Sequence, residues 1–348
     1  MKVIIGGKPA PTAPKVETLC IDDDAAGQRV DNFLMRHLKG VPKTHVYRLI
    51  RSGEVRVNKG RVGADTRLQA GDLLRVPPVR VSERVAEKEQ AMAEQVARGA
   101  PARDFPVLLE DEYFIAINKP AGVAVHGGSG VSFGVIEQLR MARPQAKFLE
   151  LVHRLDRDTS GILLVAKKRS ALKHLQDQFR ERQTGKTYLA MVRGTWPAKL
   201  KVLDKPLHKY LLDGNEAQAG ERRVKVVARD DPDGMPSVTL VKVRTSCKDY
   251  SLLEVTIKTG RTHQIRVHLA SEGHPILGDD KYGDFELNKA LARASAQPGL
   301  KRMFLHAWRL QFQHPVTGEP LALLADLAPE LARFCAAALP PPPQPDTL

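Results

Sequence analysis

Cysteine is scarce in this chain of 348 residues. Cys20, Cys247 and Cys335 are the whole complement, far apart and without a CxxC pair. That count disfavours zinc and disulfides and suits a reducing cytoplasm. Long apolar runs are also missing. None reaches the roughly 18 residues of a membrane-crossing helix, and the N-terminus has no continuous apolar signal region. Acidic residues are outnumbered, with 40 Asp and Glu against 54 Lys and Arg, for a net charge of +14. Between Gln28 and Arg80 stand 12 Lys/Arg and four Asp/Glu, a local +8 and more than half of the whole excess. A concentrated basic patch on a small module is the footprint of a polyanion partner, most often nucleic acid. The plainer alternative is a solvated basic face. The 42% hydrophobic content is that of an ordinary soluble protein, and the length allows two domains.

Residues 1–19 carry several prolines and little periodicity, which predicts a mobile leader. A module over 20–80 follows. Apolar spacing predicts two short helices over 29–34 and 46–50, and alternation predicts a small strand pair over 53–62 and a closing strand over 71–76. This order of helix, helix, GxVxVN and GDxxxV resembles the S4 RNA-binding domain, which implies RNA contact by Arg48, Arg51, Arg56, Asn58 and Lys59. Pro77 and Pro78 end the module. Residues 81–104 are polar and Ala/Glu-rich, as in a linker.

A second domain is expected over 105–335. It should hold a hairpin over 107–117, a strand over 162–167, a helix capped by Ser170, a strand over 187–192, and strand pairs over 238–257 and 304–324. Hairpins with few helices imply an α+β domain built on a mixed, mostly antiparallel sheet. Residues 336–348, proline-rich from Pro340, are expected to be a disordered tail.

Four segments of this domain stand out. Residues 153–161 read HRLDRDTSG and run into the apolar string ILLVA. Charges at the mouth of a buried strand are costly unless paired or used. Asp156 and Asp158 compete for a catalytic role here. Arg154 would share a face with Asp156 on an extended segment, and Thr159, Ser160 and Gly161 look like residues that fix the loop. Residues 118–126, NKPAGVAVH, read as a rigid turn. Residues 185–190, GKTYLA, put Tyr188 at a strand start, usually a core position. Residues 253–269 carry a strand into the turn GRTHQIR, where Thr262 can cap a helix with Ile265 and Leu269 on one face. His263 and His268 lie five apart with no third ligand, so metal is not expected.

Together these segments resemble the RluA-type pseudouridine synthases. The resemblance implies that Asp156 carries the reaction, that Arg266 pairs with it as its cation, and that Tyr188 stacks on the target base. It also implies that Arg154 fills the space a flipped base vacates. Ile265 would floor the site, with Thr159 among the substrate-contacting residues. Breaking C1′–N1 and rejoining through C5 changes no oxidation state, so no cofactor and no metal are expected. Within the family the chain looks most like the RluC branch, which acts on uridines of 23S ribosomal RNA around the peptidyl-transferase region. A cytoplasmic monomer is the expectation. The alternatives are an RluD-like branch with other target uridines, a non-catalytic RNA-binding assembly factor, and a hydrolase of free nucleosides.

Overall fold

The computed structural model describes residues 16–22, 25–38, 41–79, 105–127, 133–211, 222–293 and 299–340. They fall into two compact units, 1–100 and 101–348.

The first unit contains β1 (Glu17–Cys20), α1 (Val30–His37), α2 (Lys43–Arg51), β2 (Arg56–Val57), β3 (Gly60–Arg61) and β4 (Leu73–Val76). The four strands pair in the order β1-β4-β2-β3. Val30, Leu34, Val46, Leu49 and Ile50 of the two helices bury against Leu74 and Val76 of β4. The β2–β3 hairpin turns through Asn58 and Lys59, whose φ values of 50° and 68° are both left-handed. A two-residue turn needs that handedness to match the twist of its strands, and Asn tolerates it. The predicted helices and hairpin are therefore present. The predicted leader is too long, because Glu17–Cys20 is a strand that pairs with β4 along its whole length.

The second unit opens with the hairpin β5 (Val107–Glu110) and β6 (Phe114–Lys119), then α3 (Val135–Ala142), β7 (Glu150–Leu151), β8 (Ser160–Ala166), α4 (Arg169–Arg180) and β9 (Gly185–Arg193). It continues with β10 (Val202–Asp204), a separate hairpin of β11 (Leu207–Leu211) and β12 (Arg222–Val226), then β13 (Val238–Ser246) and β14 (Tyr250–Ile257). Helix α5 (Gln264–Ser271), α6 (Phe285–Arg293), β15 (Leu305–Gln313), β16 (Pro320–Leu324) and α7 (Pro329–Ala338) complete it. The main sheet has the order β10-β13-β14-β9-β15-β8-β6-β5, with β16 on β15 and β7 on β8. Every pairing in it is antiparallel except β15 with β8. The expected α+β architecture is what forms.

Strand β8 shows why the apolar string is central. All seven of its residues are buried. Leu163 and Val165 face a core shared with α3, while Ile162, Leu164 and Ala166 face one shared with α4, as the two-residue repeat of a strand requires. The α4 start differs from expectation. Its N-cap position is Lys168, with no side-chain cap, so Ser170 lies inside the first turn. The predicted tail also begins too early, since α7 runs to Ala338 and buries Leu331 and Phe334, followed by the buried Leu339. The predicted linker 81–104 and residues 341–348 lie outside the described residues.

Candidate active site

Asp156 sits in the loop between β7 and β8, and three features of the sequence hold that loop. His153 stacks on Phe179 of α4 at 4.6 Å between ring centroids, and its Nε2 accepts the Leu164 N–H of β8 at 3.1 Å. Burial pushes the His153 imidazole down to about 4, with Lys186 adding to the effect; it stays neutral and can accept. Leu155 points the other way, into the core beneath α3. Gly161, at φ 110°, packs where a Cβ would meet the Ala307 carbonyl oxygen at 2.2 Å. Only glycine permits the short parallel contact of β8 with β15, which pairs His306 with Ser160 and Ala307 with Gly161. The loop end is thereby set beside Tyr188, which pairs with Ala307 from the opposite side of β15.

Lys119, at the end of β6, supplies a further tie. The side chain is fully buried, and its Nζ donates to the carbonyls of Pro120 at 2.8 Å, Val123 at 2.7 Å and Arg157 at 3.0 Å. Burial pushes the amine down to about 7, against the pull of the nearby Asp158 charge. The KPAG segment thus does more than turn: it clamps the backbone one residue past Asp156.

A cavity of about 230 Å³ opens above this loop, lined among others by Arg154, Asp156, Thr159, Tyr188, Ile265 and Arg266. All six candidates that the sequence assigned to this region are brought together. Tyr188 lies on β9 between Val255 and Ala307 in register, and its hydroxyl is pushed well up, first by burial and then by the Asp156 charge. Ile265 is buried in the core under β14. Arg154 is exposed at the mouth, whereas Thr159 is buried and donates its N–H to the Asp156 carbonyl at 3.2 Å. Asp158 is excluded from the lining and faces Arg157 at 3.4 Å.

Arg266 divides its hydrogen bonds among three carboxylates. Its side chain is only 3% exposed, and its two-point partner is the equally buried Asp279, with Nε to Oδ2 and Nη2 to Oδ1 both at 2.7 Å. Asp156 receives only Nη1, at 3.4 Å on Oδ2, and Asp280 receives Nη2 at 3.2 Å. A planar fork fills its bidentate face with the carboxylate buried beside it, which leaves one nitrogen for the cavity. Burial alone would raise the Asp279 carboxyl, yet the paired guanidinium holds it below the ordinary range, helped by the N–H groups of Tyr282 and Lys281. Asp279 went unrecognised as a partner. The acidic pair in the GDDKYG segment was the available signal.

In the first unit, Arg48, Arg51, Arg56 and Lys59 are exposed, and Arg51 lines a groove with Tyr47 and Arg61. Asn58 is exposed too and has partners inside the module. Its amide donates to Asp72 at 2.7 Å and its carbonyl accepts the Leu73 N–H at 2.8 Å, so this side chain ties the turn to β4. Among the described residues His208, Asp231 and Asp233 have metal-ligand proximity; none of them lines the cavity.

Comparison with known proteins decides the family. A model described as RNA pseudouridylate synthase matches residues 113–271, and one described as S4 domain matches 28–74. The chain is 51% identical over 322 residues to "Ribosomal large subunit pseudouridine synthase C" of Pasteurella multocida (strain Pm70), covering 92% of this chain and 94% of that protein. The chain belongs to the RNA pseudouridylate synthase family. The synthase of the same name from Escherichia coli (strain K12) is also 51% identical, covering 92% of this chain and 96% of its own. Among solved structures, human RNA Pseudouridylate Synthase Domain Containing 4 aligns at a TM-score of 0.53 and 26% identity, covering 74% of this synthase and 99% of that chain. Human RNA Pseudouridylate Synthase Domain Containing 1 aligns at 0.53 and 25%, covering 67% and 89%. Among the described residues of this synthase, no helix is long and apolar enough to cross a membrane.

Proposed function

We propose that this synthase converts uridines of large-subunit ribosomal RNA, met in the cytoplasm, to pseudouridine, and that Asp156 is the reacting group. One observation carries the assignment of Asp156. Asp156 lines the cavity, its Oδ2 faces Arg266 and His263, and its Oδ1 has no hydrogen bond among the described residues. A carboxylate held by one oxygen presents the other to the sugar. Oδ1 either attacks C1′ or takes a 2′ proton as the C1′–N1 bond breaks. The detached base turns, C5 bonds to C1′, the C5 proton leaves and N1 gains one, so atoms and charge balance without a cofactor.

The remaining lining residues fit parts of this cycle. Tyr188 offers a ring for the base to stack on, an interaction worth about 1–3 kcal/mol. Ile265 supplies apolar floor. Arg154, exposed at the mouth, is placed to stack where the flipped base had been. Arg48, Arg51, Arg56 and Lys59 would hold phosphates. The names of the 51% identical relatives favour a large-subunit RNA over another substrate. The expected monomer is checked by sedimentation of the pure protein.

Asp156→Asn keeps the shape but can neither attack nor accept a proton. We expect tritium release from 5-tritiated uridine in ribosomal RNA to fall by at least about a thousandfold with RNA binding retained within several-fold. A near wild-type rate would remove Asp156 from its role. Carbodiimide mapping of pseudouridines in a strain lacking the gene, with and without rescue, identifies the target uridines.

A further inference from the structure

We propose that Tyr282 fixes the tautomer of His263, so that the His263 Nε2–H faces Asp156 Oδ2 and serves with Arg266 to aim the carboxylate. The inference rests on Asp156 being the reacting group. It adds two positioning residues and a reason for the β11–β12 hairpin.

The geometry begins with the backbone. His263 stands at the N-cap of α5 with φ 53° and ψ 18°, a left-handed conformation that side chains other than glycine rarely adopt and that surrounding structure must enforce. It lets the chain turn into α5 while the imidazole points into the cavity. The ring is then bounded at both nitrogens. Nδ1 lies 2.8 Å from the Tyr282 hydroxyl, and Nε2 lies 3.9 Å from Asp156 Oδ2.

Donor counting assigns the proton. The Tyr282 oxygen already accepts the Val224 N–H at 3.0 Å, which favours its O–H as the donor in the 2.8 Å contact with the ring. Among the described residues its acceptor is His263 Nδ1. A neutral imidazole whose Nδ1 accepts carries its hydrogen on Nε2. The groups facing the ring are Asp156, Arg266, Lys281 and Asp279, and burial outweighs the two carboxylates to hold the imidazole below its ordinary pKa. The ring is therefore neutral at pH 7, and the tautomer matters. The present separation from Oδ2 closes when substrate orders the carboxylate, as catalytic contacts commonly tighten on binding. Arg266 Nη1 approaches the same Oδ2, so both donors restrain one oxygen and leave Oδ1 to react.

Val224 lies on β12, and its side chain packs with Leu207 and Val267 against Tyr282. The small hairpin thus connects through one N–H, one phenol and one imidazole to Asp156.

The test measures kcat and KM by tritium release for Tyr282→Phe, His263→Leu, His263→Gln and the Tyr282→Phe/His263→Gln pair. Glutamine places an amide N–H near the Nε2 position without needing a tautomer. We expect Tyr282→Phe and His263→Leu each to lower kcat by about tenfold with KM within about twofold, and His263→Gln to recover most of the His263→Leu loss. Adding Tyr282→Phe to His263→Gln should then cost less than about twofold. Multiplying effects in the pair, or a loss confined to KM, would overturn the proposal. Nuclear magnetic resonance of the full wild-type chain with isotope-labelled histidine reads the tautomer without any variant: Nε2–H supports the proposal and Nδ1–H ends it. Asp156→Asn as control separates the two levels, because its activity would refute the role of Asp156, whereas independent Tyr282 and His263 effects refute only the relay.

Discussion

At the scale of single residues, Arg266 bears two loads at once. It neutralises the buried Asp279 and reaches Oδ2 of Asp156. Arg266→Ala would leave Asp279 unpaired in the interior, a change that costs about 3–5 kcal/mol. We therefore expect a large drop in denaturant midpoint together with loss of activity. Asp156→Asn, changing a group at the cavity, should lose activity with little change in midpoint. Arg266→Lys should recover part of the stability and less of the rate, since one ammonium cannot serve two points on Asp279 and a third on Asp156. Equal midpoints for Arg266→Ala and wild type would contradict the buried pair. The family resemblance put Asp156, Tyr188 and Arg266 in one site, and the three line one cavity. The sequence left Asp279 illegible because a buried acid and a loop acid read alike until burial is known. The internal ties of Asn58 were illegible for a related reason: a turn asparagine in a basic module does not announce that its amide also bonds Asp72 and Leu73.

At the scale of elements, the strands were legible wherever alternation or an unbroken apolar string announced a face. Residues 162–166 of β8 and residues 252–257 of β14 are such cases. The β11–β12 hairpin was not, because among the described residues it stands apart from the main sheet, bridging only Met235 through Leu207, and its short run, LHKYL, has no clear two-residue pattern. Two ties on the Asp156 loop yield predictions. The His153 ring takes its proton near 6.5 in the unfolded chain and at about 4 in the folded one. Its stabilising contribution is complete above pH 6.5 and fades as pH falls towards 4, by about 2 kcal/mol at pH 5. His153→Gln, still able to accept the Leu164 N–H, should flatten the fall in melting temperature between pH 7 and 5. An unchanged slope would mean that the ring is hydrated. Lys119→Met removes three donors from three backbone carbonyls. It should lower the melting temperature by several degrees and cut kcat more than KM, as the loop carrying Asp156 loosens.

For the whole molecule, the densest basic stretch and the cavity fall in different units of the chain: residues 28–80 carry a local +8 within unit 1–100, and the cavity lies in unit 101–348. Replacing Arg48, Arg51, Arg56 and Lys59 together by glutamine should leave the rate at saturating RNA nearly intact and raise KM. If all four meet phosphates, the slope of log affinity against log salt should become shallower by roughly 3, from about 0.7–0.9 per contact. Parallel slopes would mean that the basic face never touches this RNA. The division into units was legible from composition. The exact limits were not, since Glu17–Cys20 and the end of α7 look like tail until their partners are known.

The contact of Gly161 with Ala307 also sets a timetable. Ser160 meets His306 across 146 positions of chain, so the loop bearing Asp156 waits on the ribosome for a strand made much later. At about 5–20 residues per second the delay is on the order of ten seconds. Residues 16–79 need nothing from beyond themselves to complete their own sheet. A nascent chain therefore acquires its basic RNA-facing module well before it acquires chemistry. Ribosome-stalled chains ending before β15 should bind RNA and yet be unable to modify it.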